Sequence, residues 1–195
     1  MITRHGFPTS ASTILVALLV SIVILVGCAT EGRPRILSHY GSMTGVLGGP
    51  RGERHTGVDF DGSRGDPVLA AADGEVVRVF AGCVALQHET SGTRWRTRYC
   101  HLDETDVASG QRVARGELLG KVGTTGRSMG VPHLHFELCE GEPCQRVDPL
   151  AFIAGCFEPA ESVAHPAFEA SGGKPRPVLT YPLRCAIRKS LGPTQ

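Results

Sequence analysis

Several things are scarce in this chain of 195 residues. No HExxH segment occurs, so the histidine–glutamate helix motif of many metallopeptidases is excluded. No CxxC occurs among the seven cysteines, which removes the usual spacing of a cysteine metal site. Basic and acidic residues are nearly equal, 20 Lys plus Arg against 19 Asp plus Glu. The basic stripe that nucleic-acid binding needs is therefore missing. Lysine is rare, with 3 against 17 arginines, a coding bias more than a functional sign. The longest apolar run, Ile14 to Val26, is interrupted only by Ser21 and is short for a membrane span. No long stretch has helical periodicity, and no internal repeat is visible.

The chain does have 25 glycines spaced between short β-rich runs. Gly74 to Phe80, Val84 to Glu89, Arg94 to Tyr99 and Leu134 to Leu138 are such runs. The pattern predicts a mainly β fold, an antiparallel β-sheet core with large loops forming a groove. Ile36 to Gly52 is expected as loop with one brief strand, and Asp148 to Ile153 as one helical turn.

Three short stretches carry four histidines and an aspartate. His55 and Asp59 are four residues apart, and His133 and His135 are two apart. On extended backbone each pair shares a face. His101 comes from a third segment, at the end of a predicted strand. Imidazoles and a carboxylate are the usual ligands of catalytic zinc, which keeps three protein ligands and leaves a position for water. Only one of His133 and His135 needs to bind a metal, and the other can stand beside the water.

In this order the motifs resemble those of the LytM/lysostaphin-type zinc metallopeptidases, the M23 peptidases. The flanks are similar too. They include Gly57-Val58-Asp59-Phe60-Asp61, Pro67 to Gly74, Ser109 to Gly120, Gly123 to Gly126, Pro132 to Glu137 and Asp148-Pro149-Leu150. The resemblance spans Ile36 to Ile153. It implies a LytM/M23-like sheet, with His55, Asp59 and His135 binding Zn2+ and with His101 and His133 unbound and moving protons. One departure stands before the last motif, where Met129-Gly130-Val131-Pro132 carries one residue more than the family's usual wording.

The chemistry agrees with that division. Zinc brings the pKa of bound water toward ~7 and polarises a carbonyl. Without HExxH, histidine must carry the proton, and free imidazole titrates near ~6.5. One of His101 and His133 then takes the proton while the other steadies the oxyanion, in an order the sequence leaves open. Glu137 shares the face of His135 and could orient a ligand or serve as a buried hydrogen-bond partner. Tyr99 lines the groove or fills the core. His88 reads as a strand-surface histidine, and His39 as a loop residue near the groove. His5 belongs to the leader and His165 to the tail.

Residues 1–27 read as a signal peptide. Its end, Leu25-Val26-Gly27-Cys28, resembles a lipoprotein lipobox. Cys28 would then be the lipidation site and residues 28–35 a tether. Ala29 follows, not the aspartate that often marks inner-membrane retention, so the outer membrane is the expected address in a two-membrane cell. With Cys28 set apart, six cysteines remain, and exported chains commonly pair them. A hairpin around Thr90 to Thr93 places Cys83 opposite Cys100. Cys139 and Cys144 flank a tight turn, and Cys156 with Cys185 is the remainder. Residues 36–153 form the expected peptidase domain. Residues 154–195 are Pro-rich and read as an irregular extension.

The expected function is a lipid-anchored zinc metalloendopeptidase that hydrolyses peptide crosslinks of bacterial peptidoglycan. Its partners would be stem or cross-bridge peptides and, through the lipid, a membrane facing the periplasm or cell wall. The rivals are a non-catalytic wall-binding regulator of other hydrolases, an exported zinc-binding protein without enzymatic work, and a secreted toxin.

Overall fold

The computed structural model describes residues 31–88, 92–157, 168–171 and 174–187. The segment expected as a signal peptide, Cys28, His5 and His165 lie outside these residues, as does part of the 90–93 turn. Among the described residues the one helical element is the 3-10 turn Pro149–Phe152, capped by Asp148, whose side chain accepts from the Leu150 amide. No described helix is long and apolar enough to cross a membrane.

The main sheet is antiparallel and is built around the longest strand, His133–Glu140. Val58–Asp61 and then Ile36–Ser38 lie to one side. Trp95–Cys100, Cys83–His88, Gly74–Phe80 and Arg112–Val113 follow in order on the other. Gln145–Val147 pairs with the distal half of the long strand. A second, three-stranded sheet orders Pro67–Leu69, Leu118–Val122 and Leu102–Thr105.

Alternation along the long strand separates two faces. Leu134, Phe136 and Leu138 point into the core and are fully buried, with Phe60, Tyr99, Leu86 and Val58 packed around them. Phe136 stacks tilted against Tyr99 at 5.1 Å and Phe60 at 6.3 Å between centroids. Each such buried side chain contributes roughly 1.5–3 kcal/mol relative to exposure. His133, His135, Glu137 and Cys139 are left on the other face. The ladder puts His135 opposite Asp59 on one neighbour and Cys100 on the other. The same hydrophobic pattern that secures the core therefore fixes which polar groups meet.

Gly57 enables the close pass beside this strand. A Cβ there would lie 2.3 Å from the Phe136 carbonyl oxygen. Disulfides join Cys83 to Cys100, Cys139 to Cys144 and Cys156 to Cys185. The first closes the end of a ladder in which Val84 pairs with Tyr99.

Two expectations are corrected. Where described, the C-terminal segment is not an irregular extension. Leu179–Thr180 pairs in parallel with Ile153–Gly155. The Thr180 amide donates to Ala71 O at 2.9 Å, and the Leu69 amide donates to Pro182 O at 2.9 Å. Leu179, Tyr181 and Leu183 join the core, Tyr181 meeting Phe60 edge-on. Proline suits this edge because its missing N–H is not needed there. The second correction is His88, which is 1 % exposed and not on a strand surface. Its Nδ1 donates to Asp73 O at 2.7 Å, and its Nε2 lies 2.9 Å from Thr97 Oγ1.

Candidate metal centre

Two loops reach the polar face of the sheet at His135, one before Val58 and one before His133. The first carries His55 and Arg51 and supplies the His39 carbonyl. The second supplies the Thr125 and Val131 carbonyls. The latter loop is anchored by Asp103 Oδ1, which accepts from the Thr124 amide at 2.9 Å. It contains Met129 and Gly130, both left-handed with φ of 58° and 74°. This turn coincides with the segment that departs from the family wording.

His55 Nε2, Asp59 Oδ1 and His135 Nδ1 converge in a near-equilateral triangle. The sides are 3.0 Å between the two imidazoles, 3.0 Å from His55 to Asp59 and 2.9 Å from His135 to Asp59. All three residues are largely buried. The far edge of each ring is committed. His55 Nδ1 donates to His39 O at 2.9 Å, and His135 Nε2 donates to Glu137 Oε1 at 3.0 Å. A neutral imidazole that donates from one nitrogen presents a lone pair on the other. Two such lone pairs and a carboxylate oxygen therefore face one point, an arrangement that calls for a cation or an extra proton. Zinc bonds of ~2.0–2.2 Å in a tetrahedron separate ligand atoms by ~3.3 Å. The three donors fit such an ion after a shift of a few tenths of an ångström.

The electrostatics agree. Burial works against the Asp59 carboxylate, but when the extra proton is what fills the triangle, hydrogen bonds from protonated His135 and His55 outweigh that burial and hold the pKa far below the ordinary value. Burial also disfavours His135 as a cation, yet Asp59 and Glu137 raise its pKa. The site thus already stabilises positive charge between its carboxylates.

His101 and His133 are the second pair. Their rings lie 4.6 Å apart, and His101 lies 5.8 Å from His135, between centroids. Each Nδ1 donates to a backbone carbonyl, His101 to Thr125 O at 2.7 Å and His133 to Val131 O at 2.8 Å. Each Nε2 is left as the basic atom, with that of His133 3.7 Å from Asp59 Oδ1. Burial pushes His101 down to about 4 and lowers His133 as well, against the pull of their carbonyls. Both rings are neutral at pH 7. His101 has φ 71°, a left-handed conformation that costs roughly 1–2 kcal/mol in a non-glycine residue. The bridge through Cys100 and the Thr125 hydrogen bond hold it there.

The structure thus gathers all five residues singled out from the motifs. His39 contributes its carbonyl, not its ring. Tyr99 is fully buried in the core, its hydroxyl accepting from the Ala71 amide at 2.9 Å. Glu137 touches His135 directly. Sequence reasoning missed Arg51, whose Nη2 lies 2.6 Å from Asp59 Oδ2. Nothing in its spacing marks it, because the contact depends on how its loop folds back.

Residues 53–149 match the profile of Peptidase family M23. The peptidoglycan DD-endopeptidase ShyA of Vibrio cholerae is 45% identical over 119 residues, covering 56% of this chain and 27% of that protein. The cell division protein DipM of Caulobacter vibrioides is 40% identical over 103 residues, covering 50% of this chain and 16% of its own. The chain thus spans about a quarter or less of these curated relatives. Among solved structures, the catalytic domain of the antimicrobial peptidase lysostaphin from Staphylococcus simulans is 31% identical. That match covers 61% of this chain and 91% of the other, with a TM-score of 0.51.

Proposed function

The chain belongs to peptidase family M23, and on that premise we propose that it is a zinc metalloendopeptidase cutting peptide crosslinks of peptidoglycan. The observation that carries this reading is the triangle of lone pairs at 2.9–3.0 Å with two further neutral imidazoles beside it. His55 Nε2, Asp59 Oδ1 and His135 Nδ1 would hold Zn2+. When bound, the ion supplies Lewis acidity toward a carbonyl and lowers the pKa of water.

The remaining chemistry belongs to the side chains. His101 and His133 both offer Nε2 as a proton acceptor, left free because Nδ1–H of each ring is taken by a backbone carbonyl. One of them takes the proton of the attacking water. The resulting imidazolium lies in a buried setting that disfavours its charge, so it passes the proton on readily to the leaving amine. The other ring steadies the carbonyl oxygen as charge builds there. The loops carrying Arg51 and Thr125 bound the polar face on which an extended peptide would lie.

The rest of the reading concerns address. Residues 1–27 would be removed as a signal peptide, Cys28 lipidated, and residues 28–35 would tether the 36–153 domain to a membrane facing the periplasm or wall. The rival, a non-catalytic wall-binding regulator, predicts the same fold without turnover. Digestion of defined crosslinked muropeptides, with products read by mass, separates the two. Cleavage that stops with chelator and returns with zinc supports the peptidase. A zinc-loaded protein that cuts nothing overturns it.

A further inference from the structure

The two oxygens of Asp59 have different company. Oδ1 belongs to the donor triangle, 2.9 Å from His135 Nδ1 and 3.0 Å from His55 Nε2. Oδ2 lies 2.6 Å from Arg51 Nη2. The carboxylate side chain is only 2 % exposed, so water cannot readily replace the guanidinium on Oδ2. The guanidinium is itself held in place. Arg51 Nε donates to Thr44 O at 3.2 Å, Nη2 approaches Ser38 Oγ at 3.4 Å, and the Arg51 amide donates to Met43 O at 2.7 Å.

A carboxylate with both oxygens free can grip a cation through one or through both. Two-oxygen ligation would fill the position that a catalytic zinc needs for water. A fixed positive charge this close also opposes metal binding, so its contribution lies in geometry and not in affinity. We propose that Arg51 is a positioning residue that restricts Asp59 to one-oxygen ligation and thereby keeps the fourth position open. This rests on the metal reading above.

Cobalt(II) in place of zinc reports coordination number directly, since four-coordinate cobalt absorbs strongly in the visible and five-coordinate cobalt weakly. Wild type is expected to give the intense band. Arg51→Met should bind cobalt but lose most of that intensity. Its zinc affinity should be unchanged or up to about tenfold tighter. Its kcat on a crosslinked muropeptide should fall about 10- to 100-fold with little change in KM. Arg51→Lys keeps a cation on Oδ2 and should restore the band and much of kcat, which a merely structural role would not predict. Arg51→Gln is a second neutral variant should Arg51→Met not fold. A neutral variant that keeps the full cobalt band, or that loses the metal, overturns the proposal. Wild type that binds neither metal overturns the metal reading as well.

Discussion

His135 Nε2 donates to Glu137 Oε1 at 3.0 Å, from two positions along the same strand face. That carboxylate is fixed by Thr56 Oγ1 at 2.5 Å, Arg98 at 2.7 Å and Arg146 at 3.2 Å. Burial works against its charge, but these partners, His135 first, hold its pKa down to about 2. Glu137 thus sets the His135 tautomer that turns the Nδ1 lone pair toward Asp59.

Glu137→Ala should therefore weaken zinc binding about 10- to 100-fold, the usual loss when an outer partner of a ligating histidine is removed. Glu137→Gln keeps an acceptor oxygen and should lose less. Competition with a chromogenic chelator measures both. Equal affinity in Glu137→Ala and wild type would contradict the role.

Gly57 lies two residues before Asp59 and passes against the Phe136 carbonyl. The Cβ of Gly57→Ala would meet that oxygen at 2.3 Å and Glu137 Cγ at 2.9 Å. Backbone must move, at a cost of about 1–3 kcal/mol. The shift displaces Asp59, so zinc affinity should fall together with the unfolding midpoint in urea. A variant as stable and as tightly metal-bound as wild type would refute the packing argument.

His88 governs an acid limb of stability. Burial lowers its pKa below the ordinary 6.5, with the Asp73 carbonyl opposing and Arg115 adding. Below about pH 6.5 the unfolded chain takes up a proton that the folded chain refuses. Stability from this group is complete above that pH and declines as pH falls toward the folded pKa, by up to about 1.4 kcal/mol per pH unit. His88→Gln should be less stable at pH 7.5 yet lose less than wild type between pH 6.5 and 5.5. Urea titrations at these values test the difference in slope. Parallel pH profiles would show that His88 does not titrate in this way.

Much of the fold was legible because it rests on local pattern. The alternation of Leu134, Phe136 and Leu138 with His133, His135 and Glu137 announces both a strand and its two faces. The glycine-broken runs announce antiparallel pairing. What was not legible depends on distant partners. His88 reads as surface until Asp73 and Thr97 arrive from other segments to satisfy both ring nitrogens. Val178 to Leu183 looks like proline-rich tail, yet its apolar residues complete the core beside Val68 and Ala71. Arg51 reads as a loop cation, because only the fold of residues 39–55 delivers it to Asp59.

The division of labour among the five polar residues is tested most directly by the zinc content of purified single-alanine variants. His101→Ala and His133→Ala are expected to retain one zinc per chain and to lose muropeptide turnover. His55→Ala, Asp59→Ala and His135→Ala are expected to lose both. Release of zinc by His101→Ala, or full retention by His135→Ala, would contradict the account.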